Sequence, residues 1–300
     1  MVVVTGSVYP ALAERIASQL RLSLGKAHCE TFADGERDVW VEERVVGQDV
    51  LIIQSMVAPT DSAIMELCLL SDAVRREGAR SITAVVPYFG YARKERQSRL
   101  GEPISARVVV DMLIASGISH IVGCDVHATA IAGFATVPFH ITSALPVFAE
   151  RMRPQVTPQS IVLAPDAGGV KRARDFAALL NLPVGFFEKQ RNPHGRDMVE
   201  TMSLNGVDGH RHAISIDDLI STGSTIRQAA AYLKERGVAR VDACVTHMLG
   251  NDAAWYGIQE SAIDQLYVGD TVPVMRPAAV TKGEVVGLAP QIAGYILTTI

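Results

Sequence analysis

The run AISIDDLISTGST, residues Ala213–Thr225, decides how the chain is to be read. Its first five residues form an apolar strand, Ala213–Asp217, that ends in adjacent carboxylates, Asp217 and Asp218. Thr222, Gly223, Ser224 and Thr225 then make a turn of small residues, and a helix is expected from near Ile226. A strand feeding a helix through such a turn is half of a βαβ unit, and open α/β sheets bind ligands beyond the carboxyl ends of their strands. Backbone N–H groups in the turn and the positive end of the helix dipole form a cradle for phosphate. The hydroxyls donate to phosphate oxygens, and the two carboxylates suit ribose hydroxyls or a magnesium ion. The plainer alternative, Ser and Thr merely capping a helix, leaves two adjacent carboxylates at the end of an apolar strand unexplained.

The same alternation runs outward in both directions. Strands are expected at Val2–Thr5, Val50–Gln54, Ile82–Pro87, Ile121–Asp125, Ile161–Ala164, Val184–Phe187, Val241–Thr246 and Leu266–Val268. Helical spacing marks Pro10–Arg21, Asp61–Glu77, Ile104–Ser116, Val170–Leu180 and Thr225–Arg236, with Gly78, Gly117 and Gly237 where left-handed caps are expected. The fold class is therefore α/β with mainly parallel sheet. Pro146, Pro154 and Pro158 interrupt the pattern, which puts a domain boundary near residues 140–160 and gives each half about four strands.

Two other strand ends carry candidate chemistry. In IVLAPDAGGVKRA, Ile161–Ala173, Asp166 leaves a strand, Gly168 and Gly169 permit close backbone approach, and Lys171 and Arg172 open a helix; Asp166 is a candidate for metal or ribose. In CDVHA, Cys124–Ala128, Asp125 and His127 follow a strand. Magnesium prefers oxygen ligands, so a hydrogen bond from His127 to phosphate or metal-bound water stands beside direct coordination. Two cationic segments complete the set. Tyr88–Pro103 places Arg93, Lys94, Arg96 and Arg99 among Tyr88, Phe89 and Tyr91, a composition for stacking a base and neutralising phosphates unless the aromatics pack inward. In FEKQRNPHGR, Lys189 and Arg191 alternate and share one face of an extended segment, and Asn192, Pro193 and Gly195 predict a mobile loop able to close over phosphates.

Composition bounds the function. Of 300 residues, 48% are hydrophobic and 20% charged, enough to bury two cores and too apolar for disorder. No run approaches the ~20 apolar residues of a membrane span, and no signal-peptide pattern opens the chain. The four cysteines show no metal spacing and read as small core residues in a reducing compartment. A net charge of −4 excludes a globally basic nucleic-acid binder. The expectation is a soluble cytoplasmic protein without nucleic-acid or membrane partners.

Six motifs in order, FADGE (Phe32–Glu36), VVPYFGYAR (Val85–Arg93), DVHA (Asp125–Ala128), PDAGGVKRA (Pro165–Ala173), EKQR (Glu188–Arg191) and IDDLISTGST (Ile216–Thr225), make the sequence resemble the ribose-phosphate diphosphokinase (phosphoribosyl diphosphate, PRPP, synthetase) family. The resemblance implies two phosphoribosyltransferase-like domains related by a pseudo-twofold: residues 1–143, completed by 288–300, and residues 144–287 carrying the ribose-phosphate loop. It implies transfer of the diphosphoryl group of MgATP to the 1-hydroxyl of ribose 5-phosphate, giving AMP and PRPP, by a homodimer or hexamer whose ATP site is shared between subunits. By the same resemblance Phe32, Asp34, Gly35, Glu36, Arg93 and Lys94 bind ATP, with Phe32 stacked on the adenine. Asp217, Asp218, Ser221, Thr222, Gly223, Ser224 and Thr225 bind ribose 5-phosphate, and His127 and Asp166 match magnesium positions. Lys189 and Arg191 match the catalytic pair of the flexible loop. Lys94 stands where the family often has Gln, Gly101 where Arg is frequent, and Ser221 and Ser224 replace the usual phosphate-loop residues. A type I phosphoribosyltransferase, which consumes PRPP, needs neither FADGE nor a second α/β unit. A non-catalytic regulatory relative is expected to lack the loop cations, and both are present.

Overall fold

The computed structural model describes residues 1–191, 200–205 and 209–300, with residues 188–191 and 200–205 described by their backbone. The chain forms two compact units: residues 1–143, 271–273 and 287–300, and residues 144–270 and 274–286.

The first unit grows from short apolar runs that are buried on both faces. Its sheet has the order β1 (Val2–Thr5), β4 (Asp49–Ile53), β5 (Ser81–Val86), β6 (His120–Cys124), β7 (Phe139–Thr142), every pair parallel. Ile82 to Val86 and Ile121 to Cys124 are buried without a break, as parallel strands covered on both faces should be. α1 (Pro10–Gln19), α2 (Thr60–Arg76) and α3 (Ser105–Ala115) make the crossovers, and Leu67, Leu70 and Val74 of α2 join Val50, Ile52 and Ile82 in one core. Gly78 and Gly117 take the expected left-handed φ, +82° and +110°. Composition alone does not mark the hairpin β2 (Ala27–Thr31) and β3 (Arg37–Val41), an antiparallel pair that forms its own two-stranded sheet. Its strands are half-buried or exposed throughout, so they lack the apolar runs that mark the others.

In the second unit, α4 (Leu145–Met152) begins where a break was expected, because Pro146 falls in its first turn and needs no N–H partner there. β8 (Ser160–Ala164), α5 (Val170–Leu180), β9 (Val184–Arg191), β10 (Glu200–Asn205), β11 (His212–Ile220), α6 (Ser224–Glu235), β12 (Arg240–Met248), α7 (Asp252–Gln259), β13 (Gln265–Gly269) and β14 (Gly283–Val286) follow. The strand order is β10-β9-β8-β11-β12-β13-β14, with only β9 and β10 antiparallel. From β8 the chain crosses through α5 to β9 on one side; from the adjacent β11 it crosses through α6 to β12 on the other. The direction of winding therefore reverses between β8 and β11, which opens a crevice at their carboxyl ends. The first sheet, from β4 to β7, winds one way and has no such point.

Among the boundaries that move, three bear on the candidate residues. β11 continues to Ile220, so Asp217 and Asp218 lie within the strand; the ladder to β12 runs on through Leu219 and Ile220. α6 starts at Ser224 instead of near Ile226, because Gly223 at φ +74° turns the chain within a single residue. β9 reaches Arg191, since β10 pairs with it as far as Arg191 and Glu200. α8 (Ala289–Thr299) ends the chain on the first unit, beside α1. Among the described residues no helix is long and apolar enough to cross a membrane.

Candidate active site

The reversal point gathers the strongest of the candidate residues. Asp218 is buried and Asp217 about one-quarter exposed. Arg172, from the first turn of α5, bridges them: its Nη1 donates to Asp217 Oδ1 at 3.3 Å and to Asp218 Oδ1 at 3.1 Å. The N–H of Asp218 also donates to Asp217 Oδ1, at 2.8 Å. Burial raises the Asp217 pKa well above the usual carboxylate range, the Asp218 carboxyl adds to that, and Arg172 opposes both. Sequence reasoning noted Arg172 only as a helix cation. Its role comes from tertiary structure, since α5 packs against β11 as well as β8.

Beyond the carboxylates, Ser221 and Thr222 are exposed, Gly223 is buried, and Ser224 and Thr225 open the first turn of α6. The Thr222 and Ser224 hydroxyls lie 3.2 Å apart, and the Ser224 N–H points at Thr222 Oγ1 at 3.4 Å. Arg227, one turn into the helix, donates its backbone N–H to Gly223 O at 3.1 Å. The result is a short loop of exposed hydroxyls ending on a helix N-terminus, next to a carboxylate pair. Such a loop suits a phosphate with a polyol attached. Of the expected turn Thr222–Thr225, only Thr222 and Gly223 are turn, preceded by Ser221, while Ser224 and Thr225 are the first two residues of α6.

At the end of the neighbouring β8, Asp166 is exposed and folds back so that Oδ1 accepts the Gly169 N–H at 3.0 Å. A Cβ on Gly168 would lie 3.2 Å from that oxygen, a tight contact that the Asp166 carboxylate would have to ease by a few tenths of an ångström. Among the described residues no three His, Cys, Asp or Glu side chains converge as a metal cage. The donors offered here are separate carboxylate oxygens. They fit a hard divalent cation that keeps most of its shell as water and phosphate.

The other candidates lie in the first unit. FADGE is the turn of the β2–β3 hairpin: Phe32 N–H bonds Glu36 O at 2.8 Å, Gly35 N–H bonds Phe32 O at 2.9 Å, and Gly35 takes φ +95°. All five residues are exposed, and Phe32 shows 53% of its surface. Asp34 caps the turn by accepting the Glu36 N–H at 3.1 Å. Asp125 is buried at φ +40° and accepts from Ser143 Oγ at 2.8 Å; it shapes the turn that leaves His127 exposed. Lys94 pairs with Glu102, whose carboxyl it holds well below the usual range, while Arg93 is exposed. Phe89 is a core residue packed on Phe139, with ring centroids 5.5 Å apart, so it does not stack a base. Lys189 and Arg191 are placed by backbone only, on β9, and their side chains, like the Asn192–Gly195 loop, lie outside the described residues.

Residues 1–117 match the model for the N-terminal domain of ribose phosphate pyrophosphokinase, and residues 154–262 match the phosphoribosyl transferase domain. The chain is 42% identical over 295 residues to the ribose-phosphate pyrophosphokinase of Pasteurella multocida, covering 97% of this chain and 93% of that protein. The enzyme of the same name from Vibrio cholerae is 42% identical over 278 residues, covering 92% and 88%. The crystal structure of phosphoribosylpyrophosphate synthetase from Mycobacterium smegmatis superposes with a TM-score of 0.92 at 30% identity, over 99% of this chain and 97% of that one. With both domain models matched in order and relatives aligned over almost its whole length, the chain belongs to the ribose-phosphate pyrophosphokinase, or PRPP synthetase, family.

Proposed function

We propose that this protein is a cytoplasmic ribose-phosphate diphosphokinase. The ribose 1-hydroxyl oxygen attacks the β-phosphorus of ATP, the bond from the β-phosphorus to the bridging α,β-oxygen breaks, AMP leaves, and the hydroxyl proton passes to solvent. The observation that carries this reading is the Asp217–Asp218 pair, bridged by Arg172 and followed by the hydroxyl loop, at the reversal point of the second sheet.

In this reading the Asp217 and Asp218 carboxylates accept hydrogen bonds from the ribose hydroxyls and fix the sugar. Ser221, Thr222, Gly223, Ser224 and Thr225 hold the 5-phosphate through hydroxyls, N–H groups and the dipole of α6. Family members need a metal ion; the oxygen donors here favour Mg²⁺, with Asp166 holding it or its water and His127 directed at phosphate or metal-bound water. Magnesium, when bound, supplies neutralisation of the triphosphate. Phe32, Asp34, Gly35 and Glu36, with Arg93, hold ATP for a neighbouring subunit of a homo-oligomer. Lys94, tied to Glu102, contributes to ATP binding once that pair opens. Lys189 and Arg191 stabilise the charge that spreads over the transferring phosphoryl oxygens. Diphosphoryl transfer demands alignment and charge stabilisation more than covalent assistance.

Phosphorus NMR of the protein with MgATP and ribose 5-phosphate tests this. AMP and PRPP should form with the wild type, and Lys189→Ala should bind both substrates while turnover falls about 10³-fold or more, the scale of losing a charge-stabilising group. Binding of both substrates without PRPP in the wild type would identify a regulatory relative instead.

A further inference from the structure

The turn that carries Phe32, Asp34 and Glu36 sits on a two-stranded hairpin, and such a hairpin is marginal by itself in water. Something must fix the angle of its tip. Partial packing of Cys29, Val39 and Val41 on the core holds the body of the hairpin. At the end nearest the turn, the last register pair is Thr31 with Arg37, the first residue after FADGE.

Arg37 turns inward, with a side chain 13% exposed. Its guanidinium donates to Thr31 across the hairpin, to Ser7 Oγ at 2.9 Å, and to the carboxylate of Glu66 on α2. Glu66 is 1% exposed. It also accepts from Ser7 Oγ at 2.8 Å and from Gln54 Nε2 at 2.7 Å. Ser7 follows β1 and Gln54 follows β4, so the pair ties the hairpin to the carboxyl edge of the first sheet. Gly6 admits the carboxylate: a Cβ there would stand 2.4 Å from Glu66 Oε1. Arg37 Nε and Gln54 Oε1 are buried without protein partners, a donor and an acceptor left over in one cluster.

A buried ion pair is a poor way to gain stability, because desolvation offsets most of the attraction, but it is an effective way to fix a geometry. We propose that Arg37 and Glu66 are positioning residues whose buried ion pair sets the orientation of the Phe32–Glu36 turn, and through it the affinity and base discrimination for the nucleotide. The inference rests on the reading that this turn holds the adenine of ATP.

Steady-state kinetics of Arg37→Met, Arg37→Lys and Glu66→Gln, with Phe32→Ala as a reporter of the reading itself, test it. Arg37→Met and Glu66→Gln should raise the KM for ATP about tenfold and narrow the ATP-over-GTP preference in kcat/KM, with kcat and the KM for ribose 5-phosphate held within about twofold. Arg37→Lys, which keeps the charge but not the fork, should recover part of the loss. A merely structural role would lower active fraction without separating the two KM values. If Phe32→Ala raises the ATP KM and Arg37→Met does not, the positioning role is overturned. If Phe32→Ala leaves the ATP KM unchanged, the adenine reading of the turn fails and takes the positioning role with it. Should Glu66→Gln not fold, the two Arg37 variants carry the test, since Arg37 is the less deeply buried of the pair, 13% exposed against 1%.

Discussion

Asp217 and Asp218, the proposed ribose-binding residues, illustrate how a site can oppose folding. Two carboxylates share one partly buried site bridged by Arg172, and burial together with the neighbouring Asp218 carboxyl raises the Asp217 pKa. The native Asp217 therefore holds its proton more tightly than the unfolded chain does. The stability this proton confers is complete below the ordinary carboxylate pKa and is lost as the pH rises through the elevated native value. Asp217→Asn removes the ionisable group whose charged form burial penalises, while keeping the shape. At pH 7.5 the variant should melt roughly 2–4 °C higher than the wild type, the shift expected from about 1 kcal/mol in a domain of this size. The gain should shrink toward zero as the pH falls into the ordinary carboxylate range, while ribose 5-phosphate binding is lost at every pH. Calorimetry across pH 4–8 measures it, and a gain that does not vary with pH would remove the electrostatic explanation.

At the scale of elements, the β11–α6 junction depends on one residue in the left-handed region. Gly223 takes φ +74°, and a Cβ there would also come to 3.4 Å from Ile258. A side chain pays about 1–2 kcal/mol for that conformation, so Gly223→Ala should move the loop before it unfolds the domain. The expected result is a KM for ribose 5-phosphate raised about tenfold with the ATP KM unchanged, measured by initial rates. The junction was legible in the sequence because small residues, paired carboxylates and an apolar strand occur together there. Its length was not, because where β11 stops depends on its ladder to β12. The β2–β3 hairpin was hidden for a different reason. FADGE was recognised as a motif, but AHCET and RDVWV carry no apolar run, and they become strands only by pairing with one another. Arg172 and Arg37 were equally opaque as site residues, since an arginine's partners are set by packing rather than by spacing.

On the scale of the whole molecule, the two units share a layered α/β plan and differ where it matters for binding. Only in the second does the winding reverse, between β8 and β11, and the ribose-phosphate candidates cluster there. The first contributes an exposed turn on a hairpin outside its main sheet. A ligand stabilises only the states that bind it, by about 2.7 kcal/mol at a hundred times its Kd. The protection it confers should therefore map the division of labour between the units. With ribose 5-phosphate alone, amide hydrogen exchange should slow at Asp166–Gly169 and Ser221–Thr225 and stay unchanged at Phe32–Glu36. A non-hydrolysable ATP analogue with magnesium should slow exchange at Phe32–Glu36 as well. Protection of the Phe32–Glu36 turn by ribose 5-phosphate alone would contradict the assignment of sugar to the second unit and base to the first. So would an unprotected Ser221–Thr225 loop at saturation, because a phosphate held by backbone N–H groups must slow the exchange of those same groups.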